Sequence, residues 1–149
     1  MKSFEVKVVD NSRIFLDALP PQIEAALEAV GNQIVGYAID ILTAKIPRHS
    51  DSWYVSKGAS GLKGSINHRV VMSEKAVYIG TNNEHAIYNE VGTGIYAEGG
   101  RGRQSPWVYK GEDGKFHRTR GISALHFLRD ACEKHIDEIK QIIIEYLSR

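Results

Sequence analysis

The sequence predicts an α+β fold, with two long amphipathic helices packed on an antiparallel sheet of about four to five strands and long flexible loops. Apolar residues recur every three or four positions over 19–41 and again over 125–147, and this period predicts the two helices. Apolar and polar residues alternate instead in three shorter stretches, which predicts strands. These stretches are 4–10, 62–80 and 106–119. A chain of 149 residues matches one domain, so we expect a single domain over 1–149.

The first half of the chain predicts a strand, a helix and a loop. The strand is 4–10, and the helix begins at the Pro20–Pro21 pair, because proline is tolerated in a first helical turn. Pro47 ends the run after about 27 residues. Gly31 and Gly36 each disfavour a helix by about 1 kcal/mol. They therefore indicate either a break or a close packing contact.

A polar loop rich in serine and glycine is predicted over 48–64. It contains Trp53 and Tyr54, which either fold back on the core or contact a partner. A hairpin follows over 62–80, with a turn at Glu74-Lys75. Asn82 or Asn83 is predicted to cap a short helix that runs through Glu90 and stops at Gly92 or Gly94.

The second half predicts a flexible glycine-rich loop over 95–105, a hairpin and a final helix. The hairpin turns at 111–114, where Asp-Gly lies between aromatic runs. Ser123 is the predicted cap of the last helix, whose apolar stripe includes Ile136. Lys134 and Glu138 form a predicted i, i+4 pair on its polar side.

The formal net charge of the chain is only +1, so its overall field favours neither nucleic acid nor a membrane. The basic excess is local, because residues 100–120 hold six basic and two acidic side chains. These cations either contact phosphate or an acidic protein face, or they only keep a solvated hairpin from pairing at its edges. The candidates for basic contacts are Arg101, Arg103, Lys110, Arg118 and Arg120.

No sequence pattern predicts a cofactor, a metal site, a small-molecule substrate or an enzyme. Gly92-Thr93-Gly94 lacks the lysine of a phosphate-binding loop, and the six histidines do not have the spacing of metal ligands. Cys132 is the single cysteine, so no internal disulfide forms, and it lies on an apolar stripe. Glu84, Glu90 and Glu98 cluster in sequence, without a further catalytic group. No apolar run has the length of a membrane span.

Three motifs in order resemble one known family. They are Gly61-Leu62-Lys63-Gly64-Ser65-Ile66, Tyr88-x-Glu90-x-Gly92-Thr93, and Ala124-Leu125-His126-Phe127-Leu128-Arg129-Asp130-Ala131. Together they resemble the small head–tail joining or tail-completion proteins of long-tailed bacteriophages, the gene-product-ten-like tail-component family. The resemblance covers about residues 20–147, although Val91 stands where Phe is common and His126 where Pro is usual.

The resemblance implies a non-enzymatic subunit that joins copies of itself into a ring between the head and the tail. It also implies neighbouring head-completion and tail-tube or terminator proteins as partners, and DNA passing through the ring. Such a protein assembles in the host bacterial cytoplasm and ends at the head–tail junction of the virion. The implied assembly and interface residues are Trp53, Tyr54, Tyr88, Glu90, Gly92, Thr93 and Phe127.

A second hypothesis is a small nucleic-acid-binding module. It would use the basic segment 100–120, with the aromatic residues Trp107, Tyr109 and Phe116 as a platform on which bases stack.

Overall fold

The structure is a computed structural model, and it describes residues 6–9, 20–45, 61–111 and 114–148. Trp53 and Tyr54, with most of the predicted polar loop, lie outside the described residues. Within these ranges the chain has the predicted α+β class, with helices and antiparallel strands.

A three-stranded antiparallel sheet contains β1 (Val6–Val9), β2 (Ile66–Val71) and β3 (Ala76–Thr81), in the order β1-β3-β2. The predicted first hairpin is confirmed, and its turn places Lys75 at a φ of 50°. The second strand of the sheet begins later than predicted, because a short helix, α2 (Leu62–Ser65), precedes it.

Helix α1 is continuous over Pro20–Lys45, 26 residues long. A Cβ at Gly31 would lie 2.3 Å from Cδ2 of His68, whereas a Cβ at Gly36 would meet nothing within 4 Å. Gly31 therefore marks a close contact, made with β2, and neither glycine breaks the helix. The buried face of α1 consists of Ile23, Ala26, Leu27, Val30, Gly31, Ile34, Ala38 and Leu42.

The prediction of one continuous final helix capped by Ser123 is wrong. It is divided into α4 (Phe127–Glu133) and α5 (Ile136–Leu147), and the turn between them stacks the His135 ring on Tyr37, with 3.7 Å between ring centroids. Ser123 is not the cap, since α4 begins after His126. The predicted Lys134–Glu138 pair is replaced, because Lys134 bonds to Asp130 and Glu138 accepts the Tyr37 hydroxyl.

The prediction of one sheet with four to five strands is also wrong. Strands β4 (Trp107–Lys110) and β5 (Phe116–Thr119) form the predicted second hairpin, but they make a separate two-stranded sheet. Between β3 and β4 the chain forms α3 (Ala86–Val91) and two 3-10 turns. At the first of these turns, the backbone N–H groups of Thr93 and Ile95 donate to the carbonyls of Ile122 and Arg120, just after β5.

Helix α1 packs against β2 and β3 and also against α4 and α5, so it contributes to both sides of the core. Phe127 and Leu128, the first residues of α4, lie in this core and are almost completely buried. Among the helices that the structure describes, none combines the length and apolar character needed to cross a bilayer.

Candidate functional site

The segment from Ala86 to Gly94 folds as a corner between α3 and the residues that lead into α4. The short predicted helix is confirmed as α3, and it stops at Gly92, whose φ is 73°. The side chain of Asn83 accepts a hydrogen bond from the backbone N–H of His85 at 2.9 Å, so it organises the turn before the helix. His85 itself occupies the cap position.

Glu90 is the centre of this corner. Its side chain is 0% exposed, and its two carboxylate oxygens accept hydrogen bonds from the backbone N–H groups of Leu128 at 2.9 Å and Arg129 at 3.1 Å. These N–H groups belong to the first turn of α4, which has no helical partner for them. A carboxylate at a helix N-terminus also interacts favourably with the helix dipole. Glu90 thus replaces the local cap that the sequence predicted.

The backbone strengthens the same junction. The N–H of Leu125 donates to the carbonyl of Asn89 at 2.8 Å, and the N–H of His126 donates to the carbonyl of Glu90 at 3.2 Å. The C-terminal end of α3 is therefore bonded to the segment before α4. His126 lies at a φ of 51°, and its buried Nδ1 has no hydrogen-bond partner among the described residues.

The Gly-Thr-Gly turn is a site of close backbone approach. Thr93 and Ile122 exchange two bonds: the Thr93 N–H donates to the Ile122 carbonyl at 2.9 Å, and Thr93 Oγ1 accepts from the Ile122 N–H at 3.0 Å. Gly94 has a φ of 60°, and a Cβ there would lie 1.9 Å from the carbonyl oxygen of Arg120. These glycines permit two chain segments to touch, which accounts for the motif through packing.

The assembly candidates of the corner differ in exposure. Tyr88 is 52% exposed and is available for contact, and Thr93 is partly exposed. Glu90, Gly92 and Phe127 are buried, so they shape the surface from beneath.

The three clustered carboxylates have different partners. Glu98 forms two hydrogen bonds with the guanidinium of Arg129, at 2.7 and 2.8 Å, and this hydrogen bonding lowers the pKa of Glu98. Glu90 bonds to the Arg129 backbone instead, and the Glu84 side chain is 76% exposed. Burial raises the pKa of Cys132 to about 11, so its thiol is protonated at neutral pH. Within the described ranges, no three His, Cys, Asp or Glu residues are grouped to hold a metal ion.

The basic candidates lie on and beside the second hairpin, and all of them are exposed. Lys110 and Arg118 belong to its strands, whereas Arg101, Arg103 and Arg120 flank it. Its register pairs Trp107 with Thr119, Tyr109 with His117, and Lys110 with Phe116. Because side chains alternate between the two faces of a strand, Trp107 and Tyr109 share one face and Phe116 lies on the other. The three aromatic side chains therefore do not form one platform. Arg103 lies over the Trp107 ring, 5.6 Å from its centroid.

Two exposed isoleucines of α5 are not among the predicted contact residues. The apolar stripe predicts that Ile136 is buried, but it is 44% exposed, and Ile144 is 54% exposed. The break before α5 changes the phase of the helical repeat, which turns Ile136 outward. The sequence contains one signal for this exposure: the three consecutive isoleucines at 142–144 cannot all face the same side of a helix.

No protein-family model, no curated protein and no solved structure matches this chain.

Proposed function

We propose that this chain is a non-enzymatic structural subunit of a phage or prophage virion. It joins head and tail as a neck or tail-completion protein and assembles as a ring. One observation carries the proposal: two of the three motifs that resemble the tail-component family meet in one hydrogen-bonded unit. Glu90 of the Tyr88–Thr93 motif binds the backbone of Leu128 and Arg129 in the Ala124–Ala131 motif.

The remaining motif supports the same proposal. Leu62 is 0% exposed and Ile66 is 6% exposed, and both belong to the core cluster that contains Phe127. Ser65 Oγ accepts or donates a hydrogen bond with Thr81 Oγ1 at 2.5 Å, which joins the motif to the end of β3. The residues that carry the resemblance are thus used to build one scaffold.

The surface supports a role in assembly. Large apolar side chains are exposed at the corner, on the second hairpin and on α5, and clusters of this kind mark contact surfaces. The partners in this proposal are further copies of the chain and the neighbouring head-completion and tail-terminator proteins. The protein would act at the head–tail junction after synthesis in the bacterial cytoplasm. The exposed apolar residues are Tyr88, Ile95, Tyr96, Val108, Tyr109, Phe116, Ile122, Ile136 and Ile144.

Deletion of the gene from the phage or prophage that encodes it tests the proposal, with particles imaged by electron microscopy. We expect filled heads and separate tails, and their joining should return when the gene is supplied from a plasmid. A plasmid that carries Glu90→Ala should fail to restore joining, whereas Glu84→Ala should restore it. Normal tailed particles after deletion would overturn the proposal.

A second candidate, nucleic-acid binding, is favoured by the exposure of all five basic candidates and by the position of Arg103 over the Trp107 ring. It would involve DNA inside the ring or free nucleic acid. Affinity should then fall steeply as salt rises, because bound cations release counterions from phosphate. Replacement of Arg101, Arg103, Arg118 and Arg120 by alanine should abolish binding, and unchanged affinity would exclude this function.

A further inference from the structure

One face of the second hairpin has an unusual composition. Val108 lies opposite Arg118, and Lys110 lies opposite Phe116, so these four side chains share a face. Val108 is 59% exposed and Phe116 is 77% exposed. Across this hairpin face, apolar and cationic side chains occupy opposite diagonals.

The hairpin face has no cover within the described part of the chain. The main contacts of β4 and β5 are with each other. An isolated two-stranded hairpin is marginally stable in water, and a 77% exposed phenylalanine adds nothing to its folding. The face therefore fits a partner that is both apolar and acidic.

The outer face of α5 has this complementary composition. It exposes Ile136 and Ile144, eight residues and about 12 Å apart along the helix. Asp137, with a 92% exposed side chain, follows Ile136, and Glu145 follows Ile144. Lys140 lies between the two isoleucines and pairs with Asp137 at 3.5 Å, so Glu145 is the acid of this face that no lysine of the described chain offsets. Helix α5 holds three acidic residues and one lysine, whereas the hairpin face holds two cations and no acid.

The other exposed surfaces fit the hairpin face less well. Helix α1 is acidic through Glu24, Glu28 and Asp40, but its exposed positions carry no large apolar side chain among those described. The corner exposes apolar groups, but Glu90 is buried and Glu98 is paired with Arg129. Only α5, of the described helices, combines exposed isoleucines with an excess of acids.

We propose that the hairpin face of one copy docks on the outer face of α5 in a second copy. The inference rests on the proposed ring assembly and names the surfaces that form it. The two surfaces differ, so the contact is heterologous, and it propagates into a closed ring if the rotation between subunits closes. Phe116 packs near Ile144, and Arg118 and Lys110 face Asp137 and Glu145.

A mixing experiment tests this arrangement. One variant removes the hairpin face (Phe116→Ser with Arg118→Gln), and another removes the α5 face (Asp137→Asn with Ile144→Ser). Each variant alone should associate at least about tenfold more weakly than the natural chain in sedimentation velocity. A mixture should form a 1:1 heterodimer and nothing larger, because each variant keeps the surface that the other lacks. The matched control, Tyr96→Ser with Arg101→Gln, removes an exposed aromatic and a cation outside both faces and should associate normally.

Disulfide trapping extends the test to weak association. Under a mild oxidant, Phe116→Cys mixed with Ile144→Cys should give a cross-linked heterodimer in excess of either homodimer, since the native Cys132 is buried. Tyr96→Cys mixed with Ile144→Cys is the control. Absence of the heterodimer in both experiments overturns the proposal, as does a hairpin variant that loses only DNA binding.

The outcomes separate this inference from the proposed function. If deletion of the gene prevents head–tail joining but the variants assemble normally, the docking mode is wrong and the virion role stands. If the heterodimer forms but deletion leaves normal tailed particles, the docking mode stands and the virion role is wrong.

Discussion

The corner and the second hairpin use similar residues for opposite purposes. Both contain glycine turns and aromatic side chains, but the corner directs its charged group inward, with Glu90 0% exposed, whereas the hairpin leaves Phe116 77% exposed. The corner is held by bonds between segments about 30 to 40 residues apart, from Thr93 to Ile122 and from Glu90 to Leu128. The hairpin is held by its own register. The corner therefore depends on non-local bonds, and the most exposed of the large apolar side chains, Phe116, lies on the hairpin, which is held by local pairing.

The largest effect is expected at Gly94. Replacement by alanine places a Cβ at a φ of 60° and 1.9 Å from the Arg120 carbonyl oxygen, so the two segments must separate. We expect Gly94→Ala to lower the free energy of unfolding by about 4 kcal/mol or more in urea titration. Gly99→Ala is the control: its φ is 75°, but a Cβ there meets nothing within 4 Å, so only backbone strain of about 1–2 kcal/mol applies. If Gly94→Ala and Gly99→Ala lower the free energy of unfolding equally, the close approach of the two segments at Gly94 is unimportant for stability.

The next effect is expected at Glu90. In Glu90→Gln one amide oxygen replaces two carboxylate acceptors, and the amide nitrogen then faces a backbone donor. We expect a loss of about 3 kcal/mol in the free energy of unfolding. Glu84→Gln, at a side chain 76% exposed, should change it by less than about 0.5 kcal/mol. A Glu90 variant as stable as the natural chain would mean that α4 does not depend on this cap.

The two glycines of α1 differ in their surroundings: Gly31 is packed against β2, and Gly36 has open space beside it. Gly31→Ala pushes a Cβ to 2.3 Å from the His68 ring, whose Nε2 lies 2.6 Å from Glu28, and should cost about 2 kcal/mol. Gly36→Ala meets nothing and should instead stabilise the protein by about 1 kcal/mol. Thermal unfolding of both variants measures the difference, and a shift in the same direction for both would contradict the contact with β2.

A pH-dependent contribution is expected at Asp130, which bonds to Lys45 and Lys134 at 2.8 Å each. Burial alone would raise the pKa of Asp130, but the hydrogen bonds from Lys134 and Lys45 outweigh it and lower the pKa. Its stabilisation is therefore complete above the unfolded pKa, about 3.9, and is lost as pH falls through the lower folded pKa.

Asp130→Asn should thus cost about 1 kcal/mol at pH 7, and the difference from the natural chain should shrink below about pH 4. Urea titrations at both pH values measure it. Asp137→Asn, at a side chain 92% exposed, is the control and should show little change at either pH. If Asp130→Asn lowers the free energy of unfolding by the same amount at both pH values, the ion-pair explanation is wrong.

Local signals in the sequence predicted the local structure. The long stripe and Pro20 predicted α1, and Glu74-Lys75 predicted the first hairpin turn. Of the two predicted stops of α3, Gly92 and Gly94, the helix ends at Gly92. The division of the last helix was missed because its cause, the stacking of His135 on Tyr37, joins residues 98 positions apart in the sequence.

The corner shows the same limit. Glu90 was identified as a candidate from its motif, but its bonds to Leu128 and Arg129 depend on how two helices meet. The separation of the strands into two sheets has a similar origin. Alternation of apolar and polar residues predicts that a segment is a strand, but not which other strand it pairs with. Sequence patterns therefore predicted the parts of this molecule better than the contacts between them.

The smallest effect on stability is expected on the hairpin, where the most exposed of the large apolar side chains lies. Phe116→Ser should change the free energy of unfolding by less than about 0.5 kcal/mol, because a side chain already 77% exposed loses little on removal. Phe127→Ala, at a fully buried phenylalanine, should cost about 3–5 kcal/mol. If Phe116→Ser destabilises the monomer by a comparable amount, the hairpin face is covered within its own chain and is not available to a second copy. If stability is unchanged while self-association is lost, Phe116 contributes to assembly and not to folding.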